Sequence, residues 1–233
     1  NGNGAQILKG GLDYKNLTFD NSTNTTLASN PTSIVGMVTV KNNAILDIGN
    51  SNGFGNASTN LTMTGGRFRM AGTTGSKPDI DGSYSLTGGI IEFYGSNVTR
   101  QNIKGKTAAG STVINFYKIE VNGTNVGIGL YNIVLTSNAL CSFTVKTGAT
   151  YTMSDMTIAG SASPISLCKL VVETGGLFNC GNNQGFHGYT QLGLNSSSIN
   201  SNIVATNITL DPGSTVAYIK DGDQPITNTK EYQ

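Results

Sequence analysis

Short runs of alternating apolar and polar residues recur along the chain, and a small turn separates the two runs of each pair. The clearest examples cover 38–48, 61–70, 84–93, 143–153, 170–178 and 208–218. Alternation with period two, together with many β-branched residues, predicts half-buried strands. Gly or Asn in the turns allows a positive φ at little steric cost. The pattern therefore predicts an all-β chain built from strand-turn-strand units.

The spacing of these turns favours one of two architectures. In a sandwich the turns would be hairpins, whereas in a parallel β-helix they would be corners between two faces of a coil. They recur at about 23 residues near the start and at about 27 later, and such a period favours a repeat architecture. We predict a right-handed parallel β-helix (β-solenoid) of roughly 8–10 coils, since parallel crossovers are right-handed by default. The predicted turn glycines are Gly65, Gly66, Gly88, Gly89, Gly148, Gly175, Gly176 and Gly213.

A larger repeat, in which a Gln precedes a Tyr, lies on top of the small one. Its positions are Gln6 and Tyr14, Gln101 and Tyr117, and Gln224 and Tyr232. We predict one body over 1–233 with two tandem units of about 110 residues, internal repeats 6–100 and 101–223, and the start of a third unit at 224–233. The Gln side chains are expected to stack as an amide ladder or to cap a coil, and the Tyr side chains to pack at the first strand of each unit.

The two ends of the chain suggest how such a solenoid is extended. The chain begins at Asn1 without a charged and apolar leader, so we expect a mature or excised segment. Solenoid ends expose strand edges that usually need a cap. The predicted partners are therefore copies of the same chain stacked end to end, or further repeats of a longer chain.

Composition narrows the function classes. Only 12% of the residues are charged, the net charge is +1, and 31 residues are Gly. Such a charge gives no field that would attract nucleic acid or an anionic membrane, and no apolar run approaches the roughly 18 residues of a membrane span. We therefore expect neither nucleic-acid binding nor membrane insertion.

Two acidic pairs are the candidates for metal binding. Asp79 with Asp81, and Asp221 with Asp223, could each supply oxygen ligands to a hard cation such as calcium. The alternative is that Asp and Gly form turns there. His187 lies in a Gly-rich loop with two aromatic residues, where it is a general base, part of a sugar-stacking site or an ordinary loop residue. We predict no catalytic residue, no required cofactor and no enzymatic activity.

The three cysteines include one pair in the same phase of successive coils. Cys141 and Cys168 each precede a corner glycine, Gly148 and Gly175, by seven residues. Parallel strands stack about 4.8 Å apart, so these two are predicted neighbours. Both a disulfide and a buried thiol ladder fit that distance. Cys180 is predicted to be a small, inward-facing residue.

Three motifs carry a resemblance to a known group of proteins. They are Gly-x-x-x-Tyr-x-Asn-Leu-Thr at 10–18, Leu-Thr-Gly-Gly-x-x-Glu-Phe-x-Gly at 86–95 and Gly-Asp-Gln-x-Ile-Thr at 222–227. The chain resembles repeat regions of large secreted Bacteroidota surface proteins, many of them exported by type IX secretion. That resemblance implies an extracellular or cell-surface location and an adhesive or structural role.

The predicted function is that of a fibre subunit or adhesin stalk, with surface glycans as possible partners. The alternative is a carbohydrate-binding or polysaccharide-degrading β-helix, such as a lyase or glycoside hydrolase. An enzyme of this kind should have a groove with several carboxylates on adjacent coils.

Overall fold

The predicted all-β, parallel β-solenoid fold is confirmed. The structure is a computed structural model that describes residues 5–20, 24–27, 29, 33–51, 53–107, 112–129, 131–136, 140–154, 156–159, 168–182, 184–186, 190–191, 194–195 and 205–224. In chain order, its strands are β1 Gln6–Leu8, β2 Asp13–Tyr14, β3 Leu17–Phe19, β4 Asn24–Leu27, β5 Ser33–Ile34, β6 Gly36–Val40, β7 Ile45–Asp47, β8 Thr59–Met70, β9 Ser76–Lys77, β10 Tyr84–Phe93, β11 Gln101–Ile103, β12 Asn115–Phe116, β13 Lys118–Val121, β14 Val126–Ile128, β15 Ile133–Leu135, β16 Ser142–Val145, β17 Thr150–Met153, β18 Ile158–Ala159, β19 Lys169–Val172, β20 Leu177–Cys180, β21 Thr190–Gln191, β22 Leu194–Asn195, β23 Ile208–Leu210 and β24 Thr215–Tyr218. The one helical element in these ranges is a 3₁₀ turn, Ala205–Asn207, and none of their helices is long and apolar enough to cross a membrane.

Two long parallel ladders form the body. The first ladder follows β1-β4-β7-β8-β10-β13-β16-β19-β23, and the second follows β9-β11-β14-β17-β20-β24. Each of the last six strands of the first ladder is followed along the chain by a strand of the second, so about six turns carry both faces. This number is below the predicted 8–10 coils, because β1, β4 and β7 have no counterpart in the second ladder among the described residues. Shorter parallel sheets join β12-β15-β18 and β2-β5, and β3 and β6 pair beside the first ladder.

One stack of corners lies within the bent strands of the N-terminal half. The first part of β8 pairs with β6 and its last part with β7, so the strand turns a corner at Gly65 and Gly66. The same bend in β10 has Gly89 at φ 81°. A Cβ there would lie 2.4 Å from the Gly65 carbonyl oxygen. This corner therefore requires glycine both for its backbone angle and for its space.

A second stack of corners joins the first ladder to the second in the C-terminal half. Gly148, Gly175 and Gly213 have φ values of 72°, 72° and 78°, and Gly176 follows the middle one. The predicted turn glycines thus all lie at or beside corners, but in two separate stacks that join different faces.

The division into repeats 6–100 and 101–223 remains a prediction.

Buried apolar columns run along the inside of each ladder. Strand alternation directs every second side chain inward, and in-register pairing places like positions on top of one another. The inner column of the first ladder is Leu46, Phe68, Ile91, Ile119, Phe143, Leu170 and Ile208, all at most 2% exposed. In the second ladder the ring centroids of Tyr151 and Phe178 lie 5.4 Å apart. Burial of these columns supplies the main stabilisation of the solenoid.

Candidate functional site

The outward positions of the first ladder carry a column of charged side chains. Asp47 pairs in register with Arg69, Arg69 with Glu92, and Glu92 with Glu120. Each of these follows an inward-facing residue, so alternation turns it to the outer surface. Together with Arg67 they form the charged cluster. The charged cluster contains two of the 14 basic residues and three of the 13 acidic residues in the chain.

Glu92 lies at the centre of the charged cluster. Its side chain is 3% exposed and accepts hydrogen bonds from Arg67 Nη1 at 2.8 Å, Arg69 Nε at 2.8 Å and Asn122 Nδ2 at 3.0 Å. Burial raises the pKa of this carboxyl, but the bonds from Asn122, Arg69 and Arg67 outweigh burial and lower the pKa from 4.5. Glu92 is therefore an ionised, fully engaged carboxylate at neutral pH.

Arg67 joins two carboxylates on adjacent coils. Its Nη1 donates to Glu120 Oε2 at 2.5 Å as well as to Glu92. Burial lowers the pKa of Arg67, but the hydrogen bonds and charges of the two glutamates outweigh burial, so the pKa is raised above its usual value. The arrangement is an ionic bridge across coils and holds both carboxylates in fixed positions.

Tyr94 extends the charged cluster toward a groove. Its hydroxyl donates to Asp47 Oδ1 at 2.7 Å, and Asp47 also accepts from Arg69 Nη1 at 3.1 Å and from the Gly49 N–H at 2.9 Å. The Arg69 guanidinium lies 4.8 Å from the centroid of the Tyr94 ring, within cation–π range. Burial and then the bond to Asp47 raise the pKa of Tyr94 well above its usual value.

The groove beside Tyr94 has a volume of about 410 Å³. Its polar lining includes Thr26, Ser29, Asp47, Asn50 and Tyr94, drawn from the coils of β4, β7 and β10 in the first ladder. We call this surface the Tyr94 groove. Hydroxyl, amide, carboxylate and aromatic groups meet there, and this combination suits a polar ligand that also has an apolar face.

The predicted cation ligands occupy two different settings. Asp79 accepts from Lys77 Nζ at 2.5 Å, and the Lys77 side chain is fully buried. Asp81 pairs with Lys104, while Asp221 and Asp223 are exposed. Within the described ranges, no group of three or more His, Cys, Asp or Glu side chains could hold a metal ion. Lysine ammonium groups therefore contact the first acidic pair, and calcium binding stays a prediction.

Two of the cysteines are bonded across coils. Cys141 and Cys168 form a disulfide with a Cα–Cα distance of 4.7 Å. The sequence allowed either a disulfide or a buried thiol ladder here, and the structure has the disulfide. Cys180 lies buried in β20. His187 lies outside the described residues.

The side chains of two of the repeated glutamines form hydrogen bonds with the main chain. Gln101 is fully buried, and its side chain accepts from the Gly95 N–H at 2.8 Å and donates to the Met70 carbonyl at 3.0 Å. Gln224 likewise accepts from one main-chain N–H and donates to carbonyls of an earlier coil. Both therefore cap a coil and do not stack on one another. Gln6 lies in β1.

The repeated tyrosines occupy different surroundings. The Tyr14 hydroxyl donates to the Lys9 carbonyl at 2.9 Å, at the end of β2. Tyr117 is 9% exposed and lies between β12 and β13. Tyr232 lies outside the described residues.

The charged cluster is the feature that sequence reasoning missed. Its signal is a charged residue at an outward strand position between buried apolar neighbours, as at Arg69 between Phe68 and Met70. The same signal marks Glu92. Which charges meet depends on the register between coils, and a single sequence does not give that register.

Comparison with known proteins adds no relative. No family model, curated protein or solved structure matches the chain significantly. The proposed function therefore rests on the sequence and the geometry.

Proposed function

We propose that this protein is an extracellular structural or adhesive rod, the subunit of a fibre or the stalk of an adhesin. The observation that carries the proposal is the first ladder, in which nine strands stack in parallel and the last seven share a continuous buried apolar column. Repeats that contact only their neighbours build a stiff, quasi-one-dimensional body. At about 4.8 Å per strand, nine strands span roughly 40 Å along the axis.

Links between coils support a mechanical role. The disulfide joins the coils of β16 and β19, and the charged cluster joins the coils of β7, β8, β10 and β13. A force along the axis would act on these links as well as on the ladder hydrogen bonds. The resemblance to secreted surface repeats supports the extracellular location. The disulfide supports it as well, because disulfides persist in oxidising compartments.

Extension would use the same ladder. Copies of the chain, or further repeats, would continue the strand pairing of the outermost coils, and a contact of this heterologous type propagates without closing. Electron microscopy of the purified protein over a range of concentrations tests this directly. We expect filaments whose length grows in steps of roughly 40 Å, the length of nine stacked strands. Particles that stay monomeric at every concentration would overturn the assembly part of the proposal.

A second candidate is a carbohydrate-binding or polysaccharide-degrading β-helix. It is favoured by Glu92 and Glu120, which stand on adjacent coils. Glu92 shares Arg69 with Asp47, a residue that lines the Tyr94 groove. Degradation by general acid catalysis needs a carboxyl group that is protonated at working pH, whereas the bonds to Glu92 keep its pKa low. We therefore favour binding without cleavage. New reducing or unsaturated ends released from a panel of polysaccharides would instead support degradation.

A further inference from the structure

We propose that the Tyr94 groove binds a neutral sugar residue of a glycan. This inference deepens the adhesive part of the proposed function and rests on that part, and it is independent of filament assembly. It assigns a place and a ligand class to a surface that the charged cluster holds in a fixed geometry.

The backbone places three residues in one column beneath the groove. The Tyr94 N–H donates to the Met70 carbonyl, and the Ala71 N–H donates to the Gly49 carbonyl. Tyr94, Ala71 and Gly49 therefore follow one another across three coils, and the Tyr94 hydroxyl reaches back to Asp47. A Cβ on Gly49 would lie 4.0 Å from the Tyr94 hydroxyl oxygen, so the Tyr94 side chain reaches back as far as the coil of Gly49.

The ring is fixed before any ligand arrives. Its hydroxyl is bonded to Asp47, and Arg69 packs against the ring. Asp47 is in turn held by Arg69 and the Gly49 N–H. A site that is already ordered loses little conformational entropy on binding. Tyr94 is thus a preformed platform for the apolar face of a pyranose.

The remaining lining matches the hydroxyl groups of a sugar. Thr26 and Ser29 come from one coil, and Asn50 and Ser51 from the next. Hydroxyl and amide groups both donate and accept hydrogen bonds, as sugar hydroxyls do. A volume of about 410 Å³ lies within the usual range of ligand sites, roughly 300–1,000 Å³. The groove can therefore hold one or two sugar residues.

Charge selects among sugars. Asp47 is the single charged residue among the described groove-lining residues, and Arg69 is already shared between Asp47 and Glu92. An anionic sugar, such as a uronic acid, would meet a carboxylate with no cation in the lining to offset it. The groove therefore favours a neutral sugar.

The test is binding of the full chain to neutral gluco-, manno- and galacto-oligosaccharides, measured by calorimetry, with oligouronates as the comparison. We expect at least one neutral series to bind, and its uronate counterpart to bind at least tenfold more weakly. Tyr94→Ala should lower the affinity at least tenfold. Tyr131→Ala is the matched control, because Tyr131 is an exposed tyrosine that also contacts a cation, Lys106, outside the groove.

Asn50→Ala keeps the result interpretable if Tyr94→Ala unfolds, because Asn50 is exposed at the groove. It should weaken sugar binding without changing the thermal midpoint. The inference is overturned if no neutral oligosaccharide binds at millimolar concentration, or if Asn50→Ala and a folded Tyr94→Ala bind like the unmodified chain. Filament formation by Asn50→Ala reports separately on the rod, since the groove is not part of the proposed end contact.

Discussion

Removal of the negative charge of Glu92 should destabilise the solenoid more than removal of any more exposed carboxylate in the charged cluster. Glu92→Gln keeps the shape of the side chain. One of its oxygens, however, becomes an NH2 group that faces the donors of Arg67, Arg69 or Asn122. Glu120→Gln is the matched control on the next coil, since Glu120 is 20% exposed and, among the described residues, bonds to Arg67 alone.

The expected cost follows from the hydrogen bonds and ion pairs that Glu92 makes. A hydrogen bond to a charged group contributes about 1.5–3 kcal/mol, and breaking a buried ion pair costs about 3–5 kcal/mol. Both arginines are 28% exposed and keep a second carboxylate, Glu120 or Asp47, so water and the remaining partner recover part of that loss. We expect a cost of about 2–3 kcal/mol for Glu92→Gln, and less than about 1 kcal/mol for the more exposed Glu120→Gln.

Thermal unfolding followed by circular dichroism measures this difference. At about 2–4 °C per kcal/mol for a chain of this size, Glu92→Gln should lower the midpoint by about 4–12 °C and Glu120→Gln by no more than about 4 °C. Equal losses for the two variants would refute the view that Glu92 is the centre of the network.

The same pair of variants gives a pH test. The pKa of Glu92 is lower in the folded chain than its ordinary value of 4.5. The stability it contributes is therefore fully present above pH 4.5 and is lost as the pH falls through the lower, folded-state pKa. The difference between the unmodified chain and Glu92→Gln should be constant from pH 6 to 8 and should shrink below about pH 4.5. A difference that grows in acid would contradict this account.

Three further predictions concern the corners, the covalent link and the core. In urea unfolding, Gly89→Ala should cost about 3 kcal/mol or more, since its Cβ would lie 2.4 Å from a carbonyl oxygen. Gly148→Ala should cost about 1–2 kcal/mol, for its backbone angle alone, because its Cβ would have nothing within 4 Å. Equal costs would contradict the distinction between the two corners. The double variant Cys141→Ser/Cys168→Ser should lose about 3–4 kcal/mol of unfolding free energy, because the disulfide closes a loop across a sequence separation of 27. A reductant should lower the midpoint of the unmodified chain to that of the double variant and leave the midpoint of the variant unchanged. Phe178→Ala should cost about 3–5 kcal/mol, because its ring is fully buried between two other aromatic rings, with Phe178→Leu as the milder control; equal midpoints for the two would show that the packing there is loose.

Local alternation was enough to predict the strands, and the regular spacing of the turns predicted their parallel stacking. The run from Val38 to Ile48 became β6, a turn at 42–43 and β7, as its pattern indicates. The phase of the two cysteines also placed them on adjacent coils, because a constant offset from the corner glycine preserves register. These predictions depend on contacts within one coil, or between coils of equal length.

What depended on the register between unequal coils was not predictable. Phe68 pairs with Ile91 and Ile91 with Ile119, whereas Leu170 pairs with Ile208, so the length of a coil changes along the chain. One series of turn glycines therefore became two stacks of corners, and the number of turns with both faces fell to six. The charged cluster requires four coils to align, and nothing in a single sequence specifies that alignment.

Ionic contacts link neighbouring coils in both halves of the rod, and one pair of C-terminal coils also has a covalent link. The charged cluster joins the coils of the N-terminal half. The coils of β16 and β19 are joined both by the Lys146–Glu173 ion pair and by the disulfide, ahead of the longest connection, between β20 and β23. Ordering a longer loop costs more entropy, and a covalent link offsets this cost by restricting the unfolded chain. The ionic links have another consequence, because Asp47 belongs both to the charged cluster and to the lining of the Tyr94 groove. The contacts that stiffen the rod at that level therefore also fix the geometry of its proposed sugar site.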